Sequence, residues 1–279
     1  MSKTTSMPTK LPVLSLSHGS PMFAIETGQT GPILQGFGQQ LQDGTQSPSP
    51  RGVVIMSPHW MTRGPAVMTN PTPPTWHDFG GFPPALYQLQ YPAPGAPALA
   101  QDVLQALQAA GLPAQADAKR PLDHGAWVPL MHLFPRADVP VVQVALPVEA
   151  GPREVYALGF ALRHLREQGV FIVGSGGMTH NLGEFFGGRP ELGDPAEPYV
   201  IAFSRWVEEA VQTNDRERLF NYRTLAPHAV RAHPSEEHFL PIFFALGAAG
   251  WGEAGATPVD YLSREVMYRY LAMDAFVLQ

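Results

Sequence analysis

The stretch VLSLSHGSPMF, residues 13–23, carries an apolar run directly into a histidine, and glycine and proline then break it. Short apolar runs rich in branched side chains that end at glycine or proline are typical of buried strands. We therefore interpret this stretch as a strand that holds His18 at its carboxyl end. Gly19 and Pro21 would turn the chain away and leave the imidazole open to a cavity.

Similar apolar runs recur along the chain and alternate with helical patterns. The strand-like runs are PVLSLS (12–17), GVVIMS (52–57), VPVVQVAL (139–146) and GVFIVGS (169–175), and the helical patterns cover 97–111, 151–169, 195–212 and 235–250. This alternation predicts a single α/β domain over residues 11–279, with a central, mostly parallel or mixed sheet flanked by helices. Residues 1–10 are predicted to be a flexible N-terminus. Residues 62–96, rich in proline, glycine and aromatic side chains, are predicted to be a long functional loop.

The composition excludes several classes of function. The 279 residues include 24 acidic and 18 basic ones, a net charge of −6, without the basic cluster that nucleic acids or anionic membranes require. The absence of cysteine excludes disulfides and thiolate chemistry, so any metal is held by His, Asp or Glu. No stretch approaches the roughly 20 apolar residues of a membrane helix, and no signal peptide is visible. We expect a cytoplasmic protein, a monomer or small homo-oligomer, that binds a small molecule.

Three of the ten histidines fall at similar places in the predicted fold. His18 ends the first strand, His59 ends the second, and His180 follows the fourth. In open α/β sheets, ligands bind outside the carboxyl ends of the strands, so these three imidazoles could converge. One such histidine alone is commonly a satisfied polar residue at a sheet edge, whereas three together indicate a site.

A fourth candidate lies in AHPSEEHFLP, residues 232–241. If Ser235 caps a helix that begins at Glu236, then Glu237 and His238 lie in its first turn and offer metal ligands. The alternative is that the glutamates only complement the helix dipole. Another candidate is His124 in PLDHGAWVPLMHLFP (121–135), where the pattern predicts a junction between a loop and a helix.

Six ordered motifs extend these observations over most of the chain. They are LSHGSPM, SPHW, WHDFGGFPPALYQLQYPAPG, LDHGAWVPL, GSGGMTHNL and EEHFLPIFFALGAAG. Together they resemble the class III extradiol ring-cleavage dioxygenases, and HDFGGFP with YPAPG resembles the DOPA 4,5-dioxygenase-like branch. The resemblance implies a metal site in a cleft of one α/β domain. It also implies that the chain uses O2 to open a small aromatic diol next to its two hydroxyls, giving a muconic semialdehyde-type product.

The resemblance further implies roles for individual residues. The metal ligands would be His18, His59 and His238. The catalytic residues would be His180, as the acid/base beside the metal, and His124, which would either support a ligand or contact the substrate. The substrate mouth would be shaped by Trp76, His77 and Asp78. The wider superfamily binds Fe(II) with two histidines and a glutamate, so Glu237 is the alternative third ligand. Fe(II) is expected for activity, and Zn²⁺ is a possible bound metal because an all-histidine site also suits zinc.

Two other functions remain open at the level of the sequence. One is a non-catalytic metal- or ligand-binding protein on the same fold, since fold alone does not establish function. The other is a zinc-dependent hydrolase, although neither HExxH nor a nucleophile elbow is present. The substrate is also open: no basic cluster marks a carboxylate pocket, and a single arginine such as Arg63 or Arg223 would suffice to bind one.

Overall fold

Strands and helices alternate along the chain, and the computed structural model describes residues 10–44, 49–253 and 258–279. The strands are β1 Val13–Ser17, β2 Gly52–Thr62, β3 Ala66–Met68, β4 Gln115–Asp117, β5 Val141–Pro147, β6 Val170–Gly176, β7 Val259–Ser263, β8 Val266–Met267, β9 Leu271–Ala272 and β10 Ala275–Leu278. The helices are α1 Thr30–Gln42, α2 Pro97–Ala109, α3 His124–Leu133, α4 Pro152–Leu162, α5 Leu182–Gly188, α6 Pro198–Gln212, α7 Arg216–Phe220, α8 Tyr222–Leu225, α9 Ala229–Ala232 and α10 Pro241–Ala249.

Within these ranges, eight strands form one mixed sheet in the order β4-β3-β5-β2-β6-β1-β10-β7, and β8 pairs with β9 separately. The central strands β5, β2, β6 and β1 run parallel to one another. Their carboxyl ends therefore meet at one edge of the sheet. Both β10 and β7 are antiparallel to their neighbours, as is β3 beside β5. The prediction of one α/β domain with a mixed sheet is confirmed.

Helices cover both faces of the sheet. On one face the backbones of α4 and α10 pack closely against each other. A Cβ on Gly247, for example, would lie only 2.9 Å from the amide nitrogen of Phe160. On the other face α1 and α3 cover the sheet, and Trp127 and Phe171 are fully buried there. Burying a side chain such as Phe171 stabilises the fold by roughly 1.5–3 kcal/mol. The hydrophobic cores on the two faces of the sheet pack against the central strands and so fix the position of their carboxyl ends.

Several predicted boundaries were wrong. The second strand runs on to Thr62 instead of ending at His59. The helix predicted over 235–250 begins only at Pro241, because proline suits the first helical turn, where no amide donor is needed. The segment 62–96 is not one long loop, since it contains β3 and a 3-10 helix over Pro84–Gln88. These errors concern the extent of regular structure, which local composition fixes poorly.

The predicted domain bounds, residues 11–279, stay a prediction. The flexible N-terminus predicted for residues 1–10 falls almost wholly outside the described residues, which begin at Lys10. Among the helices that the structure describes, none combines the length and the apolar character needed to span a bilayer.

Candidate active site

His18 lies where β1 leaves the sheet. Its backbone N–H donates to the carbonyl of Gly176 (2.9 Å), which ties this end of β1 to β6. The next residue, Gly19, has a φ of 63°, and a Cβ there would lie 2.8 Å from the sulfur of Met273. Only glycine fits this tight turn without strain. The side chain of Ser20 then caps a short 3-10 helix over Pro21–Ala24.

His59 is not at the end of β2 but inside it. The register of β2 against β5 shifts between Ser57 and Met61, which face Ala145 and Leu146. A bulge of this kind bends a strand and re-aims its side chains. The hydroxyl of Ser57 accepts a hydrogen bond from the backbone N–H of His59 (3.2 Å) and so helps to hold the bulge.

His238 lies in the turn that precedes α10. Its carbonyl accepts a hydrogen bond from the N–H of Gly177 (2.7 Å), just past the end of β6. A Cβ on Gly176 would collide with that carbonyl, so a glycine is required for this close approach. The turn is thereby held against the same sheet edge from which His18 emerges.

The three imidazoles converge on one point. The Nε2 atom of His59 lies 3.2 Å from the Nε2 of His18 and 3.4 Å from the Nε2 of His238. Imidazole nitrogens bind zinc at about 2.0–2.1 Å, so two ligands of one such ion are separated by roughly 3–3.4 Å. The spacing therefore fits three ligands of a single divalent ion.

The opposite nitrogen of each ring has its own partner. Ser175 Oγ lies 3.1 Å from Nδ1 of His18, Asp78 Oδ2 lies 3.5 Å from Nδ1 of His59, and Glu237 Oε1 lies 3.2 Å from Nδ1 of His238. Partners of this kind orient metal-binding histidines and fix which nitrogen carries the proton. They leave the three Nε2 lone pairs directed at the common point.

Burial keeps these imidazoles neutral. Desolvation lowers the pKa of His18 and His238 well below the usual value, and neighbouring imidazoles lower it further. Desolvation, together with the adjacent His124, also lowers the pKa of His59 to about 3. A neutral imidazole presents the lone pair that a metal ion needs. The donor set therefore suits a metal ion at neutral pH.

Glu237 is placed behind His238. Its Oε1 contacts Nδ1 of His238 and accepts a hydrogen bond from the hydroxyl of Ser235 (2.9 Å). Two sets of closely spaced donor atoms exist among the described residues: one comprises His18, His59 and His124, and the other His180, Glu237 and His238. Glu237 thus orients His238 in this arrangement and also belongs to a set that could hold an ion.

His124 begins α3 and lies beside His59, with ring centroids 3.9 Å apart. Asp78 fixes it twice, because its Oδ1 accepts hydrogen bonds from the backbone N–H (2.9 Å) and from Nδ1 (3.0 Å) of His124. Burial raises the pKa of Asp78, but the hydrogen bonds from His124 outweigh it, and the pKa lies below its usual value. Asp78 is therefore a carboxylate that orients two imidazoles.

His180 stacks on His238 with ring centroids 3.5 Å apart and an angle of 5° between the planes. Its backbone N–H donates to the carbonyl of Ala232 (2.9 Å), and Nε2 of the buried His233 donates to the carbonyl of Met178 (2.9 Å). These bonds join the loop after β6 to the segment before His238. Desolvation lowers the pKa of His180 to about 4, so its ring is neutral at pH 7.

The rings of His59, His124, His180 and His238 open onto a cavity of about 160 Å³, whereas the buried His18 lies behind its lining. The cavity is lined by Gly19, Ser20, Pro21, His59, Phe79, Phe82, His124, His180, Leu182, Phe185, Phe186, His238 and Leu271. Trp76, His77 and Asp78 are not among them. Trp76 lies under the guanidinium of Arg120, and His77 forms a hydrogen bond with the carbonyl of Leu89. Of the three residues predicted at the mouth, Asp78 is the one that contacts the histidines.

Sequence reasoning missed the apolar wall of this cavity. Phe79 and Phe82 belong to the HDFGGF run and Phe185 and Phe186 to α5. The first pair follows directly on His77 and Asp78, so the HDFGGF motif was a usable signal. Nothing in the periodicity of α5 distinguishes its phenylalanines from core residues, and Ser175 in β6 reads simply as part of a buried strand.

The chain matches the family described as the catalytic LigB subunit of aromatic ring-opening dioxygenase over residues 12–269. Among curated relatives, a 4,5-DOPA dioxygenase extradiol from Beta vulgaris is 39% identical over 236 residues, covering 84% of this chain and 85% of the relative. One of the same name from Escherichia coli K12 is 36% identical over 257 residues, covering 90% of each.

The fold is similar to the crystal structure of an uncharacterized protein from Escherichia coli K12. The two share a TM-score of 0.75 and 27% sequence identity, over 97% of this chain and 100% of the other. The similarity extends over nearly the whole chain, so this architecture is not particular to this chain.

Proposed function

The chain belongs to the family of the catalytic LigB subunit of aromatic ring-opening dioxygenases, and on that premise we propose that it opens the ring of a small catechol-type substrate beside its two hydroxyls. It is an extradiol ring-cleavage dioxygenase by family and by relatives, and its co-substrates are an aromatic compound and O2. The proposal adds the catechol and a muconic semialdehyde-type product that retains both oxygen atoms of O2.

One observation carries the proposal: the Nε2 atoms of His18 and His238 both lie close to that of His59, beside a cavity lined by His59, His238, His124 and His180. A metal site needs only the first three. The two additional imidazoles border the space in which a ring would lie, as acid/base chemistry requires. A protein that merely bound a metal would have no use for them.

We assign His18, His59 and His238 as the residues that would hold Fe(II). When bound, Fe(II) supplies a redox change and open coordination positions at which a catechol and O2 are brought together. The same three imidazoles suit Zn²⁺, which offers no redox change. Activity is therefore expected with iron, and zinc would give an inactive protein.

His180 is proposed to move the proton. Its ring lines the cavity, and burial keeps it neutral at pH 7, so it accepts a proton from a catechol hydroxyl as the substrate binds. The protonated imidazole then returns that proton to an oxygen atom as the aromatic ring of the substrate opens. The stacked contact with His238 fixes the plane of the His180 ring throughout.

His124 is proposed to position the substrate. Asp78 occupies its Nδ1, which leaves Nε2 to bond a substrate oxygen. Phe79 and Phe82, on the same wall, exclude water from the ring of the substrate. Because Asp78 and Phe79 are adjacent in sequence, the orientation of the imidazoles and the shape of the apolar wall depend on each other.

The experiment that tests this function is oxygen uptake. Metal-stripped protein is reloaded anaerobically with Fe(II) or with Zn²⁺, and catechol, protocatechuate or DOPA is added while O2 and the absorbance of a yellow semialdehyde are followed. Uptake and a yellow product with iron only are expected. Silence with every catechol despite one bound iron per chain would overturn the proposal in favour of a binding protein, and zinc-dependent hydrolysis without oxygen uptake would favour a hydrolase.

A further inference from the structure

The cavity has two chemically distinct sides. Imidazoles form one side, Gly19, Ser20 and Pro21 also contribute to the lining, and the rest consists of apolar side chains: Phe79, Phe82, Leu182, Phe185, Phe186 and Leu271. Among the residues that the structure describes, neither Asp, Glu, Lys nor Arg contributes to the lining. The hydroxyls of a catechol belong at the imidazoles, so whatever else its ring carries faces the apolar side.

The apolar side continues out to the surface along α5. Leu182 and Phe186 are 45% and 65% exposed although both line the cavity, and α5 has no buried residue. Large apolar side chains exposed at the rim of a cavity mark surface that a ligand covers. The ring of Phe185 meets that of Phe186 edge to face, with centroids 5.5 Å apart, which extends the apolar wall outward.

Several nearby cations are already engaged, and Arg189, which directly follows α5, is exposed and outside the cavity lining. Three arginines on adjoining segments each pair with a carboxylate: Arg120 with Asp123, Arg231 with Glu184, and Arg223 with Glu236. Arg63, which the sequence offered as another carboxylate partner, is exposed and outside the lining. A carboxylate drawn into this cavity would lose water without gaining a charged partner, which is unfavourable.

We infer that the substrate is a catechol whose ring carries an uncharged apolar substituent, such as an alkyl chain, in preference to the charged side chain of an amino acid. This inference rests on the proposed function and names its substrate class. The substituent would lie against Phe79, Phe82 and Phe185 and emerge past Leu182 and Phe186.

A matched pair of substrates tests the inference. 4-Propylcatechol and L-DOPA share the ring and a three-carbon chain, and they differ in the carboxylate and ammonium groups. With the Fe(II)-loaded protein, kcat/KM from oxygen uptake is expected to be at least about tenfold higher for 4-propylcatechol, because the charged groups of L-DOPA would lose water without gaining a charged partner. An equal or higher kcat/KM for L-DOPA would overturn the inference.

Variants locate the preference on α5. In Leu182→Ser and Phe186→Ser the ratio of the two kcat/KM values is expected to fall by about threefold or more, because the wall loses apolar surface. Leu192→Ser is the matched control, since Leu192 is 51% exposed and outside the cavity lining. It should leave both the ratio and the activity unchanged. An unchanged ratio in both α5 variants would contradict the placement of the substituent.

Measurements with unsubstituted catechol distinguish a failure of the substrate preference from a failure of the proposed function. Oxygen uptake with catechol but no gain with 4-propylcatechol overturns this inference and leaves the proposed function in place. The absence of uptake with all three compounds, at one bound iron per chain, overturns the proposed function and this inference with it.

Discussion

The Nε2 atoms of His18 and His59 lie 3.2 Å apart, although the two residues are 41 positions apart in sequence. Both rings are neutral, and each Nδ1 faces an oxygen of another side chain. When two imidazoles are held in this way, a cation between them can be bound by the Nε2 lone pair of each ring.

His18→Ala is expected to abolish stable metal binding. Losing one of three nitrogen ligands should weaken binding by more than about 100-fold, beyond the 10- to 100-fold typical of losing an outer partner. Metal content after dialysis against buffered free Fe(II) or Zn²⁺ measures this. His164→Ala, which removes an exposed imidazole, should retain wild-type metal content. Full metal occupancy in His18→Ala would show that His18 is not a ligand.

His180→Gln is expected to separate metal binding from turnover. The protein should retain its metal, because the ligand Nε2 atoms are untouched, but kcat for oxygen uptake should fall by about 10²- to 10⁴-fold, the usual contribution of a general acid or base. Metal analysis and oxygen-electrode kinetics on the same preparation measure both. Wild-type turnover in this variant would exclude the proposed proton transfer.

Asp78→Asn is expected to weaken the site without unfolding the protein. The amide is the same size as the carboxylate but lacks the charge that orients His59 and His124. Metal affinity should fall about 10- to 100-fold, as measured by competition with a chelator. Asp102→Asn, which removes a half-exposed carboxylate remote from the cavity, is the control and should bind metal normally.

Gly125→Ala is expected to disturb the site from within α3. A Cβ there would lie 2.8 Å from Cδ2 of His59 and 3.2 Å from Cε1 of His18, and it would also press on Ser57. One imidazole must move, so metal affinity should fall by about tenfold or more. Titration of the metal-free variant with Zn²⁺ measures the loss, and unchanged affinity would show that the rings yield without cost.

Gly36→Ala is the control for that substitution. Gly36 also lies in a helix, but nothing lies within 4 Å of a Cβ placed there. This variant should bind metal normally and should be more stable by about 0.5–1 kcal/mol, because alanine loses less backbone entropy in a helix than glycine does. Urea denaturation measures the gain.

Asp274→Asn is expected to change how stability depends on pH. Burial raises the pKa of Asp274 to about 7, the charge of Glu208 adds to this, and Arg264 opposes it. Between pH 4 and pH 7 the folded state keeps the proton that the unfolded state has lost, so this group makes stability fall as pH rises through that range. The variant should therefore gain stability relative to wild type at pH 8, and gain little at pH 4.

The size of this gain is on the order of 2 kcal/mol or more, since each unit of pKa shift corresponds to about 1.36 kcal/mol. Urea denaturation of both proteins at pH 4, 6 and 8 measures it. Asp260→Asn, at an exposed carboxylate on the adjacent β7, should follow wild type at every pH. A difference between Asp274→Asn and wild type that does not change with pH would contradict a raised pKa.

Much of the site was determined by the sequence. The apolar run that ends at His18, the turn residues Gly19 and Pro21, and the position of His180 after β6 are local features that periodicity and turn chemistry reveal. The ordered motifs indicated the family, and the matches over most of the chain confirm it. These features depend on neighbours in the chain, and local propensity is sufficient to specify them.

Other features were decided only by the tertiary structure. His59 points into the site because of a bulge in β2, Asp78 holds two imidazoles that are distant in sequence, and α5 brings Phe186 to the mouth of the cavity. Each depends on strand register or on the path of a connection across the sheet edge. Burial and packing against distant residues set these, so a pattern read along the chain could place the histidines at the edge of the sheet but could not aim them.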